Sequence, residues 1–309
     1  MTFPQIDAAT RLQKLLPPEG RIRMVLDTDA YNEIDDQYAI VYSLLSPERL
    51  KVEALYAAPF FNDRSTGPGD GMEKSYDEIL QLLQRLDVDP SGFVFRGSTD
   101  YLPDEETPVE SEAARDLIEK AMSSDEPLYV VAIGAITNVA SAILMEPKII
   151  EKIVVVWLGG NALTWPDNWE FNFQQDVPAA KIIFDCGVPL IHIPCMGVTT
   201  HLRTTVPEME TYVKGRGAIG DYLFDAFRNY TDDPFGWSKE IWDVAAIAWL
   251  INDEWVPTHL IPSPVVNGTE AWGADAARHT IRSAFFIQRD PIFRDLFTKL
   301  AAHAEEERA

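Results

Sequence analysis

Cysteine is nearly absent from this 309-residue chain, which carries only Cys186 and Cys195. Two thiols are too few for a disulfide framework, so the fold must rest on its hydrophobic core. Positive charge is also short: 26 Lys and Arg stand against 49 Asp and Glu, a formal net charge of −23. A polyanionic surface repels phosphate and has few cations with which to displace its counterions, which argues against nucleic acid as a partner and for a neutral or cationic ligand. No apolar run approaches the ~20 residues that span a bilayer, so a membrane protein is not expected. Residues 1–11 lack the basic-then-apolar pattern of a signal peptide, and the cytoplasm is the expected compartment. Breaks are few as well: the clearest Pro- and Gly-bearing stretch, 65–71, is short and reads as a loop rather than an interdomain linker. With 46% hydrophobic residues the chain can bury a large core, and a single domain over residues 1–309 is expected.

Short apolar runs alternate with amphipathic stretches. Strands are predicted at 23–26, 52–57, 128–133, 153–158 and 189–193, and helices at 35–45, 72–86, 111–122, 136–145 and 178–185. This β-α-β-α order predicts an α/β fold built on an open, mainly parallel doubly wound sheet. The last third differs, with helical patterns at 206–229, 241–252 and 291–303 around one apolar run at 259–266, and reads as a helical C-terminal flank. In open parallel sheets ligands sit beyond the carboxyl ends of the strands, so residues just after each predicted strand are where chemistry is sought.

The first predicted strand runs into Asp27, Thr28 and Asp29, and a five-residue loop leads to Asp35, Asp36 and an apolar helix. Four carboxylates at one strand end raise one another's pKa and destabilise the fold unless something cationic sits among them. A hard divalent cation, Ca²⁺ or Mg²⁺, is the simplest answer, since no His or Cys accompanies these residues. Asp27, Asp35 and Asp36 serve equally, on local grounds, as helix caps or as partners of nearby Arg residues. Asp-x-Asp after a strand also opens the phosphatases that use an aspartyl nucleophile, although their motif continues to Thr or Val where this chain has Tyr31.

With its Asp27-Thr28-Asp29 and Asp35-Asp36 segments, the sequence resembles the nucleoside hydrolase family, whose connecting loop is two residues shorter than residues 30–34 here. Further matches follow in order. Ile133, ahead of Gly134-Ala135-Ile136-Thr137-Asn138, stands where the family gives a backbone carbonyl to Ca²⁺, although Thr137 and Asn138 also suit a helix cap. Leu158-Gly159-Gly160 and Glu170-Phe171-Asn172 resemble segments that bind the ribose hydroxyls. Trp242-Asp243 resembles the segment with the last carboxylate ligand, where many members carry His, a proposed acid for the leaving base, and a purine-preferring branch carries Trp. Trp242 therefore points toward a purine, its alternative being a packing residue at a helix start. One departure is the stretch Ala57-Ala58-Pro59-Phe60-Phe61-Asn62, where the family commonly has Gly-Asn near the metal and ribose; Asn62 is the candidate substitute.

The resemblance implies metal-dependent hydrolysis of the N-glycosidic bond of ribonucleosides, with purines preferred, by a homo-oligomer. It implies Ca²⁺ held by Asp29, Asp36, the Ile133 carbonyl and Asp243, with Asp29 as general base, Asp35 beside it, and Glu170, Asn172, Asn32 and Trp242 around the substrate. The roles of Glu33, Asn62, Asn161 and Asn168 stay open at this level. Two other readings remain: a hydrolase of another glycoside or a phosphate ester on the same acidic site, and a non-catalytic metal-stabilised binding protein.

Overall fold

The structure, a computed structural model, describes residues 3–268 and 271–308. Its strands, in chain order, are β1 (Ile22–Thr28), β2 (Leu50–Ala57), β3 (Val94–Arg96), β4 (Leu128–Ala132), β5 (Ile153–Leu158), β6 (Leu190–Ile193), β7 (Arg203–Thr204), β8 (Lys239–Glu240), β9 (Thr258–Pro262), β10 (Val265–Asn267), β11 (Ala271–Gly273) and β12 (Thr280–Ala284). The helices are α1 (Ala8–Lys14), α2 (Asp36–Leu44), α3 (Pro68–Arg85), α4 (Glu112–Met122), α5 (Thr137–Met145), α6 (Phe171–Gln175), α7 (Val177–Asp185), α8 (Val206–Tyr212), α9 (Gly217–Arg228), α10 (Val244–Ile251) and α11 (Arg289–Glu306).

Eight strands form one sheet in the order β3-β2-β1-β4-β5-β6-β12-β9, parallel throughout except for β9 at the edge. From β1 the chain winds outward through β2 to β3, then returns to the other side of β1 and proceeds through β4, β5 and β6. The switch point of this doubly wound sheet therefore lies between β1 and β4, and the crevice beyond their carboxyl ends is where a ligand is expected. Residues of opposite parity along each strand supply two cores. Met24, Leu26, Val131, Val156 and Ile191 face α2, α9, α10 and α11, whereas Val25, Val130, Val155 and Trp157 face α4, α5 and α7. Burial on both faces explains why the central strands read as unbroken apolar runs. Among the described residues no helix is long and apolar enough to cross a membrane.

Three expectations need correction. Residues 68–71 belong to α3, not to a loop: Pro68 opens the helix, where its missing N–H costs nothing. Residues 206–229 form two helices, because Gly215, between α8 and α9, and Gly217, which opens α9, hold left-handed backbone (φ +74° and +72°). The apolar run at 259–266 spans β9 and the start of β10, so the last third extends the sheet as well as flanking it. Strand β12 went unread because its sequence, Thr280-Ile281-Arg282-Ser283-Ala284, has little apolar pattern. Arg282 is accommodated there by donating to the Leu15 carbonyl and to Thr258 Oγ1.

Candidate active site and metal centre

Strand β1 is hydrogen-bonded between β2 and β4, so Asp27 and Thr28 end it at the switch point with Asp29 immediately beyond. The chain then turns into α2, with Asp35 at the N-cap and Asp36 in the first turn. From the distant last third, α10 arrives with Asp243 at its own N-cap position. Neither Asp35 nor Asp243 makes a side-chain capping bond, so the helix-cap reading of this cluster does not account for them. Their oxygens turn inward instead: one from each of Asp35, Asp36 and Asp243 lies within 4.8 Å of the others. The partial positive charge of two helix N-termini falls on this cluster, although such partial charges offset only a fraction of several carboxylates.

The electrostatics are those of an unneutralised acidic centre. Burial and then the neighbouring Asp36 and Asp35 push Asp29 well above the carboxylate range. Burial and then Asp35 push Asp36 up to about 8. Asp35 rises to about 6 through burial, with the Lys239 ammonium opposing the rise. Asp243 is raised well above its ordinary value by burial and then by Asp35, Asp36 and Asp29. Asp27 rises to about 7 through burial, opposed by the hydrogen bond that Asn138 Nδ2 donates to its Oδ1 at 2.7 Å. Both oxygens of Asp29 and Oδ2 of Asp27 are buried without a hydrogen-bond partner. Gly134 leaves the space they occupy, since a Cβ there would stand 2.8 Å from Asp29 Oδ1. Oxygen-only donors, orphaned oxygens and a deficit of countercharge fit a hard divalent cation.

A cavity of about 280 Å³ opens onto this cluster, its lining including Asp35, Asp36, Asp243, Ile133, Asn172 and Trp242. That is near the lower end of small-molecule pockets, which run from ~300 to 1,000 Å³. Asn32, Asn62 and Glu170 line it too, so residues expected from five separate segments of sequence meet in one space. Asp29 does not line the cavity; it is buried behind those that do.

The family model for inosine-uridine preferring nucleoside hydrolases matches residues 69–289. The chain belongs to that family. It is accordingly an enzyme that cleaves N-glycosidic bonds, in a family that is metal-dependent in general. The matched segment includes Ile133, Glu170, Asn172 and Asp243 but begins after Asp36, so the place of the first four carboxylates rests on the geometry above. A pyrimidine-specific ribonucleoside hydrolase, RihA of Salmonella typhimurium, is 27% identical over 264 residues, covering 75% of this chain and 80% of that protein. A non-specific ribonucleoside hydrolase, RihC of Salmonella schwarzengrund, is 25% identical over 247 residues, covering 75% and 79%. In fold the chain is similar to a purine-preferring ribonucleoside hydrolase from Gardnerella vaginalis, with a TM-score of 0.76 at 21% identity, covering 92% of this chain and 99% of that one.

Within this nucleoside hydrolase, several side chains are tied differently from what their positions suggest. Glu170 caps α6: Oε1 accepts from the Asn172 N–H, and Oε2 from the N–H groups of Gly160 and Phe173. Burial nonetheless holds it up at about 7. Asn172 spends both amide hydrogens on the carbonyls of Ile133 (2.9 Å) and Leu158 (3.0 Å), bracing the ends of β4 and β5 and leaving Oδ1 toward the cavity. The Ile133 carbonyl keeps one lone pair. Asn62 Nδ2 donates to Asn32 Oδ1 at 2.6 Å, so the shifted loop does bring Asn62 to the site. Asn161 and Asn168 hold two loops together: the Asn161 N–H donates to Asn168 Oδ1 and the Met196 N–H, from the loop after β6, to Asn161 Oδ1, while Asn168 Nδ2 is buried without a hydrogen-bond partner. Asn138 does not cap α5; besides Asp27 it binds Ser98, whose N–H and hydroxyl both donate to Asn138 Oδ1. Trp242 both packs against the core and lines the cavity, so the packing and ligand readings hold together. Sequence reasoning missed Asn138, Lys239, Cys195, Met196 and Trp169, and the last, 65% exposed at the cavity, had a signal in being an aromatic just ahead of Glu170.

Proposed function

We propose that this enzyme hydrolyses the N-glycosidic bond of ribonucleosides, purine nucleosides preferred, with Ca²⁺ in the acidic cluster and the whole chain forming one catalytic domain. The observation that carries the reading is the set of buried carboxylates, two of them with unpaired oxygens, meeting at the sheet's switch point beside a cavity that Trp242 lines. Asp36, Asp243, Asp29 and the remaining lone pair of the Ile133 carbonyl are the donors that would hold the cation. A bound Ca²⁺ would lower the pKa of a water and orient the sugar's hydroxyls. Asp29, whose two oxygens have no other partner, takes the proton of an attacking water that reaches past the cavity lining to it, and Asp35, which does line the cavity, shares the role of general base. Asp35 completes the tight trio with Asp36 and Asp243 and, with one oxygen already accepting the Trp242 N–H at 3.1 Å, offers the other to a ribose hydroxyl. Asn172 accepts a second hydroxyl through Oδ1, and Asn32, fixed by Asn62, stands across the cavity. Glu170 acts mainly by holding the loop that ends on Asn172. The concentrated negative charge stabilises the positive charge that develops on the ribosyl group as the bond to the base breaks.

Release of free base and ribose from a panel of purine and pyrimidine ribonucleosides, with and without chelator, tests this reading. Chelator-sensitive release, fastest for purines, is expected; release indifferent to chelator would remove the metal, and no release from any nucleoside would overturn the function. Trp242 in this reading stacks on the leaving purine and raises its basicity. Trp242→Ala is therefore expected to slow purine nucleosides by about tenfold or more relative to a 4-nitrophenyl riboside, whose leaving group needs no proton. Equal losses on both would sink the stacking role. A homo-oligomer is part of the same proposal, and the exposed Leu260, Phe285 and Phe286 near the β9 edge offer apolar surface for it.

A further inference from the structure

The two-residue-longer loop, 30–34, carries Glu33 to the cavity that Trp242 lines. Loop and side chain are both fixed. Gln37 Nε2 donates to the Ala30 carbonyl at 2.7 Å, the Asn32 N–H to the Asp29 carbonyl at 2.7 Å, and Arg64 Nη1 to the carbonyls of Tyr31 and Glu33 at 3.3 and 3.1 Å. The Glu33 carboxylate forms an ion pair with Lys239 through Oε2 and accepts the Tyr230 hydroxyl through Oε1 at 3.3 Å. Lys239 in turn lies 5.8 Å from the centre of the Trp242 ring and 5.6 Å from that of Tyr230. The pair thus stands beside the aromatic surface, with the Lys239 side chain 10% exposed and that of Glu33 35% exposed.

An ionised carboxylate accepts hydrogen bonds and donates none, and two of its lone pairs remain free here after Lys239 and Tyr230 take theirs. We infer that Glu33 reads the edge of the base, selecting purines that present adjacent N–H donors over purines that present only acceptor nitrogens. This inference rests on the hydrolysis of nucleosides proposed above. A ring nitrogen lone pair facing the carboxylate is repelled, whereas a ring N–H with a neighbouring exocyclic amino group, as in guanine, meets both oxygens in a bidentate pair. Lys239 keeps the carboxylate in place, and the ring of Trp242 sets the plane of the base.

The test compares kcat/KM on guanosine and on purine riboside, which has neither a ring N–H at that edge nor an exocyclic group, for the wild type, Glu33→Gln and Glu33→Ala. The preference for guanosine is expected to fall by about tenfold or more in both variants, the loss typical when a site built for a hydrogen bond no longer makes it. A preference within about twofold of wild type in both variants would overturn the inference, as would a wild type that cleaves both nucleosides with no preference for guanosine; either result leaves nucleoside hydrolysis standing. A wild type that cleaves no nucleoside overturns both.

Discussion

Asp36→Asn is expected to lower kcat/KM on the best nucleoside by on the order of 10³-fold while raising the Tm of the chelator-treated protein, two effects of opposite sign from one substitution. Asn matches a protonated Asp in shape, so the hydrogen bond with Thr28 Oγ1 survives and the tight trio of Asp35, Asp36 and Asp243 loses one of its charges. Without metal that charge only adds to repulsion: Asp36 is held up at about 8 by burial and then by Asp35, and it raises Asp243 and Asp29 in turn. With metal the same charge is a ligand, and its loss weakens both the cation's hold and the chemistry. Thermal melts in chelator, beside activity assays at saturating Ca²⁺, check both halves. A variant that loses activity and melts lower in chelator would mean that Asp36 supports the fold and that its charge is not the strained element.

The second expectation concerns pH. For the cluster carboxylates the folded-state pKa values lie above the unfolded value of about 3.9. Asp35 is near 6, Asp27 about 7 and Asp36 about 8, with Asp29 and Asp243 also raised. The folded chain therefore binds more protons than the unfolded chain between about pH 4 and pH 8, so the stability of metal-free protein falls as pH rises through that window. A divalent cation that binds only the ionised, folded cluster removes this loss. At one fixed Ca²⁺ concentration, about 100 times its Kd at pH 8, the rise in Tm is expected to be small at pH 5, where protons hold the site and the affinity is lost, and about 5 °C or more at pH 8. A rise in Tm that is the same at both pH values, or absent at pH 8, would show that the cluster does not bind the cation through its charged form.

The acidic cluster is only half legible in the sequence. Asp27, Asp29, Asp35 and Asp36 are close along the chain and follow a strand, so their crowding can be read directly. Spacing does not place Asp243 with them; the family resemblance does, and the fold brings it to Asp36 because α10 packs against α2. Glu170 was expected to read the sugar, yet three backbone N–H groups claim its carboxylate, because it stands at the N-cap of α6, whose first turn offers two of them while Gly160 offers the third. Lys239 carries no signal at all. Its meaning comes from Glu33, 206 residues away, and from a short two-stranded pairing of β7 with β8.

By itself the sequence determined the central strands β1, β2, β4, β5 and β6 and the helices α2, α3, α4, α5 and α7, since strands buried on both faces must be apolar throughout and helices must show one apolar stripe, whereas the short α1, β3, α6 and β7 carry too little pattern to read. It also determined that a strand would end in crowded like charge, which destabilises a fold unless something cationic sits among it. Tertiary structure alone decided the rest. The order of strands put the switch point between β1 and β4, the antiparallel edge drew the last third into the sheet, and the packing of α10 on α2 closed the carboxylate cluster. The physical reason is one of range: backbone preference and burial act on neighbours along the chain, whereas the partner of a buried polar group is whichever distant segment packing delivers to it.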